Sequence, residues 1–545
     1  MPTFDIDQYV NTVVNKFTSR SIVLAEILCD DHPQDVPAYT VINGDLQAVD
    51  YSYAQLKSES EKFAAVLTAQ GVQPGQRVAT LMGKSWEYLV TLMGIWRAGA
   101  VHVPLFTAFA PSAIQMRLDG SDAKVVVCDT TQQVKLTTVD EEAPGGSWKI
   151  ITLGEPSERC QSFQALMSDQ KPGFIAVERS CEDPVIQVYT SGTTGKPKGV
   201  VVPIKALASF KIYAEMGLGI QDDDRFWCAA DPGWAYGLYF GVLATFLTGV
   251  SSILYAGGFD AEKTLKILKD QKVTNYAAAP TVYRSLRASG VECSPNDFKL
   301  RCASSAGEPL TPDVNAWAES SLGVSVHDHY GQTEAGMLLN NHHHPAVFAP
   351  IKEGSMGKPM PGWTGAVLDF EEDIELQPNQ KGRIVFDLKN SPAAWFAGYD
   401  NNPEKSAEKF SSDGRWFLTG DTGLMDDDGY FHFSSRDDDV IIMAGYRIGP
   451  FEVESVISSH PAVVETAVIA VPDEVRGEVI ECYVVVGQGY QESEELVKDI
   501  QNWVKTRYAA HAYPRKVHFI DVMPKTPSGK IQRFALKKIR LEQTA

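Results

Sequence analysis

The sequence is short of most features that take a chain out of the ordinary folded class. Eight cysteines are scattered over 545 residues with no C-x-x-C pair and no closely spaced histidine partners, which excludes a disulfide framework and a zinc site of the usual spacing. A reducing cytoplasm is the expected compartment. The first residues, Met1 to Asp7, lack the basic and apolar regions of a signal peptide, and the last, Leu541 to Ala545, carry no peroxisomal or lipidation signal. No clean apolar run reaches membrane length. Pro232 to Phe259 is uncharged, but Gly233, Gly237, Gly241, Gly249, Gly257 and Gly258 interrupt it, so a buried helix followed by a core strand is expected there and no membrane span. Basic residues are in deficit, 49 against 69 acidic, and the net charge of -20 excludes broad nucleic-acid binding, because such a surface repels phosphates.

What is present is enough for more than one core. A chain of 545 residues with 44% apolar and 22% charged residues is expected to fold as at least two domains. The charge is unevenly spread: from Lys505 onward there are ten Lys or Arg against Asp521 and Glu542, a tail of about +8 on a body of about -28.

Helical and strand periodicities alternate through the first half. Tyr53 to Gln70 reads as a helix, Arg77 to Met82 as a strand, Trp86 to Arg97 as a helix, and Val101 to Pro104 and Ala123 to Cys128 as strands. Further such units fall at Thr264 to Ala279 and Asp313 to Asp328. The class is therefore α/β, with layered αβ subdomains. After Gly357 short strands and turns take over, up to the acidic stretch Arg436 to Asp439. Beyond it a helix (Phe451 to Ser459), two strands (Val463 to Val471, Glu481 to Val486) and a helix (Ser493 to Tyr508) suffice for a small α+β domain. The expected organisation is residues 1–435 as the large domain, 436–439 as a hinge and 440–545 as the small domain.

The most telling segment is Thr190 to Gly199, Thr-Ser-Gly-Thr-Thr-Gly-Lys-Pro-Lys-Gly, which follows the strand-like run Val185 to Tyr189. Gly192 and Gly195 let backbone N–H groups approach phosphate oxygens, Thr190, Ser191, Thr193 and Thr194 add hydroxyls, and Lys196 and Lys198 supply positive charge. It is not a Walker A loop, because two residues rather than four separate the glycines and Pro197 follows Lys196. No G-x-S-x-G elbow is present, so serine-hydrolase chemistry has no support.

This string resembles the phosphate loop of the adenylate-forming superfamily, which includes acyl-CoA synthetases, peptide-synthetase adenylation domains and firefly luciferase. Further segments resemble the same family in the same order. Ser305 to Pro309 is similar to its adenine-contacting segment, Asp328 to Gly336 to the segment meeting AMP and magnesium, Trp416 to Gly423 to the ribose-binding segment, and Thr526 to Ile531 to the segment with its catalytic lysine. The resemblance runs over essentially the whole chain and implies a mobile C-terminal domain. It implies that Gly307, Glu308, Pro309, Asp328, His329, Tyr330, Gly331, Gln332, Thr333, Asp421 and Arg436 line an AMP site, and that Lys530, Thr333 and Glu334 serve catalysis, with Glu334 holding Mg2+.

Each role has a physical basis. A carboxylate such as Asp421 can accept two hydrogen bonds from a ribose diol. Glu334 offers a hard oxygen to a cation bridging ATP phosphates. Lys530, after Gly529, can stabilise charge developing at the α-phosphate. Arg436 to Asp439 resembles the interdomain hinge with Asp438 at the pivot, although Ser435 stands where a glycine is usual and Ile442 where a polar residue is common. Gly445, Tyr446 and Arg447 resemble the loop that lines the pantetheine tunnel of coenzyme A.

The acyl pocket is expected at Trp234, Ala235, Tyr236, Gly237 and Gly331. Similar enzymes acting on acetate and propionate carry a tryptophan at the position of Gly331, so its absence here is expected to open the pocket to a medium-length, branched or aryl acid; refilling by Tyr236 or Met337 is the competing outcome. His342 to His344 are expected in a loop, and His327 and His329 as packing residues on one strand face. The implied activity joins a carboxylic acid to coenzyme A with ATP and Mg2+, through an acyl-adenylate. The alternatives are a stand-alone enzyme loading a carrier protein and a short-chain CoA synthetase.

Overall fold

The computed structural model describes residues 4–137, 148–190, 197–436, 439–443, 446–473, 477–487, 489–509, 512–525 and 531–542. Two large sheets form the body. The first has seven strands in the order Lys198–Pro203, Pro184–Thr190, Val101–Pro104, Arg77–Leu81, Ala123–Cys128, Lys149–Thr152 and Cys160–Ser162. All neighbours run parallel except the first two, which form an antiparallel hairpin. Its helices begin where the sequence supplies caps. Ser52 and Gln55 make a reciprocal capping box for Tyr53–Ala69, and Ser85 accepts from Tyr88 N to start Trp86–Arg97. Because the second helix is apolar nearly all round, Tyr88 through Arg97 are all buried. Its one buried guanidinium, Arg97, forks onto Asp30 at 2.6 and 3.0 Å.

The second sheet has nine strands: Lys358–Pro359, Gly336–Asn340, Val326–Gln332, Cys302–Ala306, Asn275–Ala278, Arg225–Cys228, Ser251–Tyr255, Pro37–Ile42 and Ala48–Ser52. Its centre is parallel and its two ends are antiparallel. The uncharged stretch after Pro232 lies within it. A π-helical turn at Gly237–Leu243 runs into the helix Ala244–Thr248, which Gly249 ends, and the strand Ser251–Tyr255 follows. Among the described residues no helix is long and apolar enough to cross a membrane.

A four-stranded antiparallel sheet comes next: Gly365–Leu368, Gly382–Asp387, Trp416–Met425 and Phe431–Arg436. Asp438, the expected hinge residue, lies outside the described residues. After it a smaller sheet is built from Tyr446–Ile448, Ile441–Met443, Gly477–Val486, Val463–Asp473 and Lys516–Phe519. Its strands outrun the periodicity: Gly477–Val486 starts four residues before Glu481, since it pairs along nearly all of Val463–Asp473. Pro450–Ser458, Glu494–Arg507 and the strands share a hydrophobic cluster made wholly of residues after 440, including Ile441, Val453, Ile480 and Ile500. Phe451 meets Phe433 at 5.8 Å and Lys381 pairs with Glu452, so this unit rests on the edge strand Phe431–Arg436.

The small unit also buries a charge. Glu481, 2% exposed, accepts from Arg540 and His518, and although burial opposes ionisation, these partners hold its carboxyl down at about 2. A depressed carboxylate stabilises above its unfolded value near 4.3, and that stability is lost as the pH falls towards 2. Arg540→Met is expected to cost about 3 kcal/mol by stranding Glu481. Urea unfolding followed at Trp503 measures the loss, which should shrink as the pH is lowered from 7 to 4.

Candidate active site

The two large sheets and the four-stranded sheet meet at the carboxyl ends of the parallel strands, where open α/β sheets bind ligands. The hairpin contributes first. Thr190 pairs with Lys198 across it; Ser191, Gly192, Thr193, Thr194, Gly195 and Lys196 lie outside the described residues. Asp400 N donates to Gly199 O (2.8 Å), and Val200 bridges Tyr399, which ties the hairpin to the approach of the four-stranded sheet.

Tyr399 is the centre of this junction. Its hydroxyl donates to Glu334 Oε1 (2.7 Å), and Lys198 Nζ lies 4.8 Å from its ring centre. Glu334, 9% exposed, sits in the turn between Val326–Gln332 and Gly336–Asn340. Behind it Lys409 Nζ donates to Thr419 O (3.1 Å), and burial lowers its pKa although Glu334 and Asp421 oppose the shift. Sequence reasoning missed Tyr399 and Lys409. Neither belongs to a motif: Tyr399 comes in through its bridge to Val200 and the Asp400–Gly199 bond, and Lys409 comes in just past the short helix Pro403–Ala407, where Leu418 N donates to its carbonyl.

Asp421 has the cleanest geometry. It lies on Trp416–Met425, 4% exposed; Tyr330 OH and Gln332 Nε2 (2.7 Å) donate to Oδ2, while Arg436 Nε stands 3.6 Å from Oδ1. Burial raises its pKa and Arg436 lowers it. With Oδ2 occupied, Oδ1 is the oxygen placed to receive a ribose hydroxyl.

Asp328, His329, Tyr330, Gly331 and Gln332 occupy Val326–Gln332, in parallel register with Cys302–Ala306, so Ser305 lies beside Asp328. The chain then turns through Gly307, at φ +105°, Glu308 and Pro309. Arg284 holds Glu308 at 2.6 Å, and Arg533, three residues past Lys530, also feels the Glu308 charge. Asp328 is half-buried: Leu310 N donates to Oδ2 (3.4 Å), Oδ1 has no hydrogen-bond partner among the described residues, and burial pushes its carboxyl up to about 8. Thr333 O accepts from Tyr239 OH (3.3 Å).

The histidines do come together. His327 and His343 stack 3.6 Å apart at 15°, with His329 against them, and the nitrogens of all three lie within 4.8 Å of one another. Stacked imidazoles carry their lone pairs in parallel planes, which do not converge on one ion. His327 Nδ1 and His329 Nε2 bond Asn341 O, His343 Nε2 bonds Ala303 O, and burial lowers all three pKa values. All three thus bond backbone oxygens within the fold, and His342 and His343 lie in a loop, as expected.

Trp234 packs on Phe106 (5.1 Å) and edge-on to Phe109 (5.7 Å), Ala235 and Tyr236 lie against the main core, and a Cβ on Gly237 would fall 2.2 Å from Asp231 O. The reason expected for Gly331 is corrected here. A Cβ there would lie 2.1 Å from Gly336 O and 2.7 Å from Met337 Sδ, across the bulge of an antiparallel pair. Glycine is required by close backbone approach, and Met337 occupies the space that a side chain would take. Lys530 and Gly445 lie outside the described residues, while Tyr446 and Arg447 are placed by backbone alone, opposite Met443 and Ile442.

Fold and site together define an adenylate-forming enzyme: a nucleotide site where three sheets meet, with a small α+β unit against its rim. The chain belongs to the AMP-binding enzyme family, whose model matches residues 29–393, and the AMP-binding enzyme C-terminal domain matches residues 452–530. It is 36% identical to an acetyl-coenzyme A synthetase of Bacillus subtilis (91% of this chain, 86% of that one) and 34% identical to the mitochondrial acyl-coenzyme A synthetase ACSM3 of Rattus norvegicus (92% and 86%). Among solved structures it resembles a Brucella canis acyl-CoA synthetase (39% identity, TM-score 0.76, 99% and 98% covered) and a benzoate CoA ligase of Burkholderia xenovorans (27%, 0.82, 98% and 100%).

Two outcomes test the site. Asp421→Asn should raise the KM for ATP at least tenfold, since a charge-assisted bond of roughly 1.5–3 kcal/mol is weakened, while the KM for the acid moves little. Asp328 keeps its proton in the folded chain up to about pH 8 but loses it near 3.9 when unfolded, so stability falls as the pH rises between those values. Thermal unfolding of Asp328→Asn should therefore show a flatter decline from pH 5 to 8 than the parent.

Proposed function

We propose that this chain is an ATP-dependent acyl-CoA synthetase, converting a carboxylic acid, ATP and coenzyme A to acyl-CoA, AMP and pyrophosphate through an acyl-adenylate. The observation that carries the reading is the Asp421 carboxylate, held on one oxygen by Tyr330 and Gln332 and open on the other beside Arg436. Named CoA ligases among the relatives support the thiol acceptor over a carrier protein.

The residues divide the work by position. Asp421 and Arg436 orient the nucleotide, and the Gly/Thr-rich segment between Thr190 and Lys198, which pair at the end of the hairpin, is assigned to the phosphates. Glu334 fits a magnesium ion: Tyr399 takes Oε1, and among the described residues no hydrogen bond reaches Oε2. Such an ion would neutralise phosphate charge when bound. Lys409 adds a fixed, poorly hydrated cation behind the carboxylates. Lys530 stabilises the charge that develops as the acid attacks the α-phosphorus, and the small unit, pivoting at Asp438, then withdraws it and brings Gly445, Tyr446 and Arg447 to the adenylate for thiol attack. Domains divide at 436–439.

For the acid, a medium-length, branched or aryl chain is favoured over acetate. That preference rests on the aromatic wall of Trp234 and Tyr236, while Met337, which fills the space beside Gly331, favours the short-chain alternative. Eight free cysteines suit a reducing compartment, in keeping with the cytoplasm.

Lys530→Ala should lower acid-dependent pyrophosphate release about 100- to 1000-fold yet leave CoA-dependent consumption of supplied acyl-AMP largely intact. Equal loss of both half-reactions would refute the mobile lysine. A panel of acids from C2 to C12 with branched and aryl members, scored by pyrophosphate release, should peak above C2; an acetate optimum would overturn the proposed acyl class.

A further inference from the structure

Behind the aromatic wall lies a hydrogen-bonded chain whose direction can be worked out. Tyr213 OH stands 3.1 Å from Tyr236 OH and 2.7 Å from His329 Nδ1, and His329 Nε2 faces Asn341 O at 3.1 Å. Tyr213 is 0% exposed and His329 1%, while Tyr236 keeps part of its surface open. Both tyrosines sit at the start of π-helical turns, Tyr213–Gly217 and the one that Tyr236 leads into, an irregularity concentrated at functional sites.

A carbonyl oxygen only accepts, so His329 Nε2 carries the hydrogen. A neutral imidazole has one, which leaves Nδ1 bare. Tyr213 must then donate to Nδ1, and its oxygen is left to accept the proton of Tyr236. Burial supports the neutral forms: it depresses the His329 pKa well below the usual value and raises both phenols. The other titratable groups felt here are neutral as well: Asp328 and Cys228 are held protonated, at about 8 and about 12, and burial keeps His327 and His342 unprotonated by lowering their pKa values.

We propose that Tyr213 and His329 are positioning residues that turn the Tyr236 proton inward, so that at Tyr236 the wall of the acyl pocket accepts hydrogen bonds and donates none. The inference rests on the reading of Trp234 to Gly237 as the acyl wall. The pocket therefore selects acids whose chains are apolar or carry a hydrogen-bond donor, and it rejects chains bearing a keto group or second carboxylate, whose lone pairs would face the Tyr236 oxygen undirected.

The test compares kcat/KM for hexanoate, 6-hydroxyhexanoate and 5-oxohexanoate, by pyrophosphate release, in the full chain. Tyr213→Phe removes the acceptor and frees the Tyr236 proton to turn outward. His329→Leu removes the far end, letting Tyr213 donate back to Tyr236, and serves if the first variant does not fold. In either, the 5-oxohexanoate to hexanoate ratio should rise about fivefold, the worth of one net hydrogen bond, and in Tyr213→Phe the KM for ATP should stay put. Adding Tyr236→Phe should cancel the gain. An unchanged ratio in both variants, with Tyr236→Ala still altering the acid profile, would overturn the relay. Should Tyr236→Ala leave the acid profile untouched as well, the acyl-wall reading itself fails.

Discussion

The Asp421 carboxylate is the interaction on which the rest of the site depends. A charge buried to this degree is costly unless hydrogen bonds and an opposite charge meet it. Here they arrive from separate strands: Tyr330 and Gln332 from the nine-stranded sheet and Arg436 from the end of the four-stranded one. Satisfying one carboxylate thus locks two sheets in register. Because the protein takes only one oxygen fully, the other is left where a ligand can complete the set.

The same economy of partners runs through the surrounding polar groups. Tyr399 serves Glu334 while its neighbours stitch the hairpin base, so the floor of the phosphate turn and the proposed magnesium carboxylate move together. Under the nucleotide strand the polar groups are instead neutral. Three histidines, Asp328, Tyr213 and Tyr236 all resist ionisation through burial, and a neutral network transmits direction rather than charge. The nucleotide half of the site is built from charges, and the proposed acyl half from oriented dipoles.

The small unit shows a different balance. Its core is its own, and among the described residues its contacts with the body include the Phe433–Phe451 pair, the Lys381–Glu452 ion pair and the close backbone approach of Gly449 to Ser434. Contacts of this size are within reach of rearrangement, unlike the packed interior of either large sheet. A catalytic lysine carried on such a unit would be present for one half-reaction and absent for the next.

Periodicity and motif made much of this legible. Alternating helix and strand patterns located the large elements to within a few residues, because amphipathic spacing and caps such as Ser52 and Ser85 act locally. The order of motifs from Thr190 to Lys530 was enough to indicate adenylate chemistry. Tertiary structure decided what spacing cannot encode. Tyr399 joins the site across the hairpin that it bridges and Lys409 across the strand Trp416–Met425, His343 reaches His327 across a loop, and Gly331 meets the backbone of a neighbouring strand. Local sequence governs which groups the chain carries and which element each begins in; burial and the approach of distant backbone determine which proton, charge or empty space each of them presents.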